Sequence, residues 1–382
     1  MGAIGMQCDI VGVTAQLAQC HVDEVDLFDL AYDFGSPSTG GLWQALVPSR
    51  RGNPGTYYIK LKRHPRHWPR LRLLPEGPAQ EAVLRLPWRH RLDMYLAGIE
   101  GVLPEGMRAP ALYHFEVFDD EHVGAWWELV RDRGGRWSAD ELGRAAYLLG
   151  RLAARRREGA EVNNLLPAYC HDPDGSSLRS FVEHQVLAEQ VPQLRDDRIW
   201  HHPVVEAAVS DTGDARLRGH LLDLVEAIPL VLERLEEAPR TYAHGDAATR
   251  NLLRPPDEPD VTVVTGWGFA SLLPVGFDLG QLLVGQAEDG FVDPAELPRL
   301  AAVVCDGYRA GLDAEGYAVN ARSVTHGFLG SLLLRSAFGQ LPVETLSQAP
   351  TAAAARLVRH RLELTRAIVE LTAPAVNGSH TQ

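Results

Sequence analysis

The chain is expected to fold as an α+β protein in two lobes, an antiparallel sheet in the first and helices in the second. Three observations lead there. Its 382 residues are more than one small core organises. Strand-like segments crowd the first third, and from Ser138 onward the pattern turns to long amphipathic helices. The change falls at "DRGGR", near residues 130 to 137, so the expected lobes are 1–130 and 131–382.

Residues 8 to 20 have the pattern of a short helix. "VDLFDLAYDF" (25–34) alternates, with Phe28, Leu30, Tyr32 and Phe34 on one face, as a half-buried strand does. "GSPSTGGLWQALV" (35–47) then reads as a Gly-rich turn followed by a strand from Leu42. "SRRGNPG" is a hairpin turn into "TYYIKLK" (56–62), whose β-branched and aromatic residues indicate a third strand. Backbone N–H groups in the Gly-rich turn, around Gly40 and Gly41, can lie over phosphates, although hairpins need glycine in any case. A helical period runs through 87–99, and strands are expected at 111–119 and 123–130. "SADELGRAAYLLGRLAARRR" opens on a capping box, Ser138 with Glu141. Further helices are expected near 176–194, 215–236, 294–312, 321–338 and 350–372.

Bulk chemistry narrows the function. The apolar, charged, Gly and Pro contents are those of an ordinary globular protein. A formal charge of −13 argues against nucleic acid or an anionic membrane as partner. It fits either a cationic substrate or a simple solubility device. Cys8, Cys20, Cys170 and Cys305 are scattered, without metal or disulfide spacing, and read as free thiols. The start lacks a basic n-region and no apolar run reaches transmembrane length, so a cytoplasmic location is expected; oligomeric state is left open.

Lysine usage is unusual. Lys60 and Lys62 are the only lysines; every other basic side chain is arginine. Both lie on the "TYYIKLK" strand, and strand period sets them on one face. A lysine is a compact point charge on a thin stem, suited to reaching between phosphates.

Reactive chemistry concentrates in "AHGDAATRNLL", residues 243 to 253. An Asp held in a tight loop can accept the proton of an attacking hydroxyl, and an Asn five residues on can hold a metal at the phosphates. Asp246 and Asn251 have that spacing, with His244 and Gly245 shaping the turn. A surface loop with a helix-capping Asp is the bland alternative.

Taken with "AWWELV" and "TGWGFASLLPVGFDLGQLL", these motifs resemble the aminoglycoside phosphotransferase and choline-kinase-like group of small-molecule kinases, from about residue 25 to about residue 340. The resemblance implies a two-lobed protein-kinase-like fold, with the catalytic loop at 244–251 and the substrate site in the second lobe. It implies ATP or GTP with Mg2+ as cofactors and a small-molecule acceptor. Lys60, with Lys62 as the alternative, would hold the inner phosphates, and residues from Glu128 to Val130 would offer backbone groups to the base. Asp246, with His244 beside it, would be catalytic; Asn251 would bind metal, and Asp278 would brace the loop.

Two departures stand out. Where this fold usually pairs a helix acid with the strand lysine, the chain has Arg91, with Asp93 nearby and Glu81 upstream. Before Trp267, where relatives carry a metal-binding Asp, it has Gly266. Loss of one preorganised electrostatic contact costs about 3–4 kcal/mol, or ~10²–10³ in rate. Asp257, Glu258 and Asp260 precede the strand and are expected at its far end. Three functions therefore stand side by side: a small-molecule phosphotransferase, possessed of a weakened site; a kinase fold put to other small-molecule chemistry; and a non-catalytic ligand sensor. The acceptor is undetermined, among antibiotics, sugars, amino alcohols and biosynthetic intermediates. Glu183, Glu189, Glu288 and Asp289 could face a cationic acceptor, and Trp200, His201 and His202 could line a pocket, or all could belong to ordinary helix surfaces.

Overall fold

The computed structural model describes residues 9–31, 36–50, 54–74, 76–165, 176–213, 215–346 and 351–377. Strands β1 (Asp26–Asp29), β2 (Thr39–Leu46), β3 (Thr56–Arg63), β5 (Leu112–Asp119) and β6 (His122–Trp127) form an antiparallel sheet in the order β1-β2-β3-β6-β5. The lysine strand β3 is central, flanked by β2 and β6. Its Lys60 lies opposite Ala125 and its Lys62 opposite Val123. Helix α1 (Ile10–Ala18) closes one face, packing Ile10 and Ala18 with Ala45, Tyr57, Ile59 and Trp126.

Two expectations for this region need correction. Phe28 does not face the core: it is 51% exposed, while Leu27 packs inward against the α1 cluster. The edge position of β1 leaves one side of the strand uncovered, and alternation alone could not tell which. Tyr32 and Phe34 lie outside the described residues. Strand β2 also starts earlier than expected, at Thr39, with a bulge between Thr39 and Gly41, so Gly40 and Gly41 belong to the strand rather than to the turn.

Helices α2 (Pro78–Leu84) and α3 (His90–Leu96) follow β3, and the two-residue strand β4 (Met107–Arg108) pairs in parallel with β9 (Thr262–Val264). Helix α4 (Ala139–Arg155) begins on the expected capping box: Ser138 Oγ accepts from the Glu141 N–H, and Glu141 accepts from the Ser138 N–H. The helical part continues through α5 (Ser176–Phe181), a π-helical run from Val182 to Gln190, α6 (Val191–Arg195), α7 (Asp197–Trp200), α8 (Pro203–Thr212) and α9 (Leu217–Glu236). After strands β7 (Arg240–Ala243), β8 (Leu252–Leu253), β9 and β10 (Ser271–Pro274) come α10 (Asp278–Glu288) and α11 (Leu297–Ala314). Then follow α12 (Ala321–Ser331) with a π-helical extension to Ala337, α13 (Val343–Leu346) and α14 (Ala352–Asn377).

One buried cluster runs from Leu92 and Trp127 through α4, α9, α10, α11 and α14. The antiparallel sheet therefore sits directly on the helical core, without a spacer. No helix among the described residues is long and apolar enough to cross a membrane.

Candidate active site

Strand pairing places the loop chemistry. β7 pairs with β10, and β8 with β9, so the segment 244–251 leaves one hairpin-like pair and enters another. Its conformation is held from beneath by Asp278, the first residue of α10. The buried carboxylate of Asp278 accepts the His244 N–H at 3.0 Å and the Gly245 N–H at 2.8 Å. Burial pushes the pKa of Asp278 up, against the pull of His244 and of these two amides. Gly245 has φ +79°, and a Cβ there would fall 2.0 Å from the Phe269 carbonyl oxygen, so this turn admits only glycine.

The imidazole of His244 is fully buried, and burial lowers its pKa, which keeps it neutral. Nε2 lies 2.6 Å from the Thr265 carbonyl oxygen and donates to it; Nδ1 accepts the Asp246 N–H at 3.2 Å. Both ring nitrogens are therefore occupied by backbone. His244, expected beside Asp246 among the catalytic residues, makes contacts that orient the loop.

Asp246 projects into a ring of polar groups. Its Oδ2 accepts from Asn251 Nδ2 at 2.9 Å, its Oδ1 accepts from Arg250 Nη2 at 2.9 Å, and Arg335 Nη2 lies 3.9 Å from Oδ1. Asn251 Nδ2 also reaches the Asp246 carbonyl at 2.8 Å, so this side chain folds back over its own loop. The Thr265 N–H donates to the Asn251 carbonyl, which carries Gly266 against the Asn251 side chain. Gly266 adopts φ +80°, and a Cβ there would lie 2.5 Å from Asn251 Oδ1.

The expected metal can be tested against these donors. Magnesium is usually held by one or two carboxylates together with phosphate oxygens and water. Asn251 offers a single carboxamide oxygen, Gly266 offers none, and both oxygens of Asp246 already accept hydrogen bonds. No group of three or more His, Cys, Asp or Glu suited to a metal occurs among the described residues. Glu258 is bonded to Arg108 and Asp260 pairs with Arg144, so neither supplies the missing ligand. The residues present do not fit a protein-held magnesium ion.

On β3, Lys62 is buried and donates to Ser38 Oγ at 2.5 Å, joining a small hydroxyl cluster of Ser36, Ser38 and Thr39. Burial, then the charges of Arg91 and Arg63, bring the Lys62 pKa down to about 7. Burial likewise pushes Lys60 well below the usual lysine range, reinforced by Lys62 and Arg91. No carboxylate among the described residues offsets either lysine. Asp93 lies 3.7 Å from Arg89, and Glu81 pairs with Arg85. Arg91 stacks over Trp127 at 5.1 Å with its Nε buried and unpartnered. Helix α3 is tied to the segment after Trp267 by His90, whose Nε2 lies 2.7 Å from the Ala270 carbonyl. Lys60, Lys62 and Arg91 thus stand near one another, with no carboxylate among the described residues offsetting the two lysines, an arrangement suited to phosphate.

The expected base-contacting segment is only partly free. Glu128 is spent on structure: its carboxylate binds Arg108 at 2.6 and 2.8 Å and accepts the Ala111 N–H, and its own N–H donates to the Ala111 carbonyl. No hydrogen bond among the described residues uses the backbone of Leu129 or Val130, which leaves those groups available to a ligand.

The outlying expectations fare differently. Trp200 is buried, and its Nε1 donates to the Leu194 carbonyl; His201 bonds the Asp197 carbonyl and His202 caps α8. These three are packing and capping groups, not pocket walls. Glu183, Glu189 and Asp289 are exposed, and Glu288 accepts from Gln340. Reading the sequence missed Arg250, Arg335, Phe181 and Phe269. Arg250 had a signal, lying four residues after Asp246; Arg335 had none, because only folding brings its helix to the loop.

A five-stranded antiparallel sheet on a helical core, with a polar loop braced by Asp278, defines a protein-kinase-like α+β fold. A model of the phosphotransferase enzyme family matches residues 49–318, and the chain belongs to that family. Among solved structures, it resembles choline kinase from Cryptosporidium parvum, at 10% identity and a TM-score of 0.50, covering 96% of this chain and 97% of that one. An aminoglycoside phosphotransferase from Streptomyces rimosus gives 16% identity and a TM-score of 0.43, covering 94% and 99%. Ethanolamine kinase from Plasmodium vivax gives 12% and 0.46, covering 90% and 83%. Comparison with curated protein sequences finds no match.

Proposed function

We propose that this protein transfers the γ-phosphoryl group of a nucleoside triphosphate, ATP or GTP, to a hydroxyl of a small molecule. The observation that carries the reading is the loop 244–251, where Asp278 locks the backbone and leaves the Asp246 carboxylate held between Asn251 and Arg250. A carboxylate so fixed is placed to accept a hydroxyl proton while the hydroxyl oxygen bonds to the γ-phosphorus. The bond from phosphorus to the bridging oxygen breaks, and the nucleoside diphosphate leaves. Residues 1–130 bind the nucleotide in this reading and residues 131–382 carry the loop and the acceptor.

Lys60, Lys62 and Arg91 meet the phosphate charge, and the open backbone at Leu129 and Val130 meets the base. No carboxylate among the described residues offsets Lys60 or Lys62, which supports this assignment, since a bound phosphate would supply that negative charge. Asp278 and His244 serve as positioning residues.

A second reading, nucleotide binding without transfer, is favoured by Gly266 and by Asn251 folding onto Asp246. Calorimetric titration with ATP and GTP, followed by single-turnover transfer from γ-labelled nucleotide to a panel of hydroxyl compounds, tests both. Binding with transfer supports the first reading, and binding without transfer the second. No heat from either nucleotide at millimolar concentration would sink both and leave other small-molecule chemistry in this cleft.

A further inference from the structure

Arg335 is the one group beside Asp246 that the reading above leaves without work. It lies in the π-helical extension of α12, a backbone irregularity that often accompanies functional positions. Its side chain is only 12% exposed. The guanidinium carbon sits 4.6 Å from the ring centre of Phe181 and 5.0 Å from that of Phe269, so two aromatic residues contact the group. None of its N–H donors makes a hydrogen bond to a described residue. Asp246 Oδ1, at 3.9 Å, is beyond hydrogen-bond reach and already accepts from Arg250.

A mostly buried guanidinium whose unbonded donors still reach solvent can exchange that water for the acceptor of a ligand. Burial works against its charge; Asp246 favours it most, Arg250 adds repulsion, and Asp278 and Glu288 favour it less. Arginine keeps its proton regardless. The cost is relieved if a ligand supplies the acceptor. Phe269, 54% exposed, borders the guanidinium, so the group can be reached from solvent on that side.

We propose that the acceptor is anionic: a hydroxyl compound carrying a carboxylate, which Arg335 binds through its guanidinium while Asp246 faces the neighbouring hydroxyl. The 3.9 Å separation of the two side chains requires the hydroxyl and the carboxylate to lie close together, as in a hydroxy acid or sugar acid. A planar carboxylate matches the flat guanidinium fork. The inference rests on the phosphoryl-transfer reading in that it names the acceptor of the same site, yet its test needs neither nucleotide nor turnover.

Crystals of the protein would be soaked in sodium formate, with acetamide as the neutral control and sodium phosphate as a second anion. In parallel, solution binding would be compared for glycerate against glycerol and gluconate against glucitol, in the natural protein and in Arg335→Met. The expected result is formate on the Arg335 guanidinium and a preference for the anionic member of a pair. That preference should be about 10- to 100-fold, the worth of a charge-assisted hydrogen bond, and absent from Arg335→Met. Phosphate bound in place of formate would overturn the carboxylate assignment. A guanidinium bare in every soak, or neutral compounds bound as well as anionic ones, would overturn the proposal. Carboxylate binding in a protein that ignores ATP and GTP would uphold the anion site and defeat the phosphoryl-transfer reading alone.

Discussion

Asn251 occupies the space that a side chain at position 266 would need: a Cβ on Gly266 would fall 2.5 Å from the Asn251 Oδ1. The bare glycine at 266 and the folded-back carboxamide of Asn251 are therefore linked by packing. With nothing at 266 to hold it out, Asn251 turns onto Asp246 and bonds both its carbonyl and its carboxylate.

Restoring a side chain at this position should be costly. Gly266 sits at φ +80°, where an L-residue loses about 1–2 kcal/mol. Gly266→Ala is expected to lower stability by about that amount in urea unfolding. Gly266→Asp should lose as much and also displace Asn251 from Asp246. An Ala variant as stable as the natural protein would mean that the backbone at 266 relaxes freely.

Removing the loop's brace should be more damaging than its distance from any substrate suggests. Asp278→Asn keeps the size of the side chain but leaves only one oxygen to accept two backbone N–H groups. Hydrogen bonds to a charged group contribute about 1.5–3 kcal/mol each, so unfolding should shift by roughly that amount. Amide exchange at His244 and Gly245 should accelerate with it; unchanged protection of these two amides would count against the brace.

The binding of nucleotide should draw in a proton. Lys62 is held near pKa 7 by burial, against 10.5 for an ordinary lysine, so at pH 8 it is mostly neutral in the free protein. A bound phosphate favours the charged form and raises that pKa, so affinity should fall toward tenfold per pH unit between about pH 8 and 9. The effect on stability has the opposite sign. The folded state resists protonation, so the cost of charging Lys62 is full below pH 7 and is relieved as pH rises from 7 toward 10.5. Calorimetry in buffers of different ionisation heat counts the protons, and no uptake at pH 8 would count against Lys62 as a phosphate ligand.

Asp246→Asn should separate chemistry from binding. The proton acceptor is lost while the lysine strand is untouched, so transfer should drop about 10²- to 10⁴-fold with nucleotide affinity held within a few-fold. Single-turnover assays and titration of the same preparation check this together. An Asn variant as fast as the natural protein would remove Asp246 from the mechanism.

Much of this fold was legible in local pattern, because local physics decides it. The capping box at Ser138, the strand at "TYYIKLK" and the Gly-shaped turn at 245 each depend on neighbours a few residues away. The expectation for β1 went wrong at Phe28 because edge strands can bury either face. Helix α10 was hidden by the apolar run around "FDLGQLLVG", whose burial on every side erases the helical period.

The sequence by itself determined which chemical groups exist: two lysines on one strand face, an Asp and an Asn five apart, and a glycine directly before Trp267. Folding decided what those groups do to one another. It turned Asn251 into the gap at Gly266, occupied both nitrogens of His244 and left Lys60 and Lys62 without an acid among the described residues. It also brought Arg335 to within 3.9 Å of Asp246 and set Phe181 and Phe269 against its guanidinium. Such contacts join residues far apart in the chain. They depend on how helices stack and how loops are anchored, which no local pattern encodes.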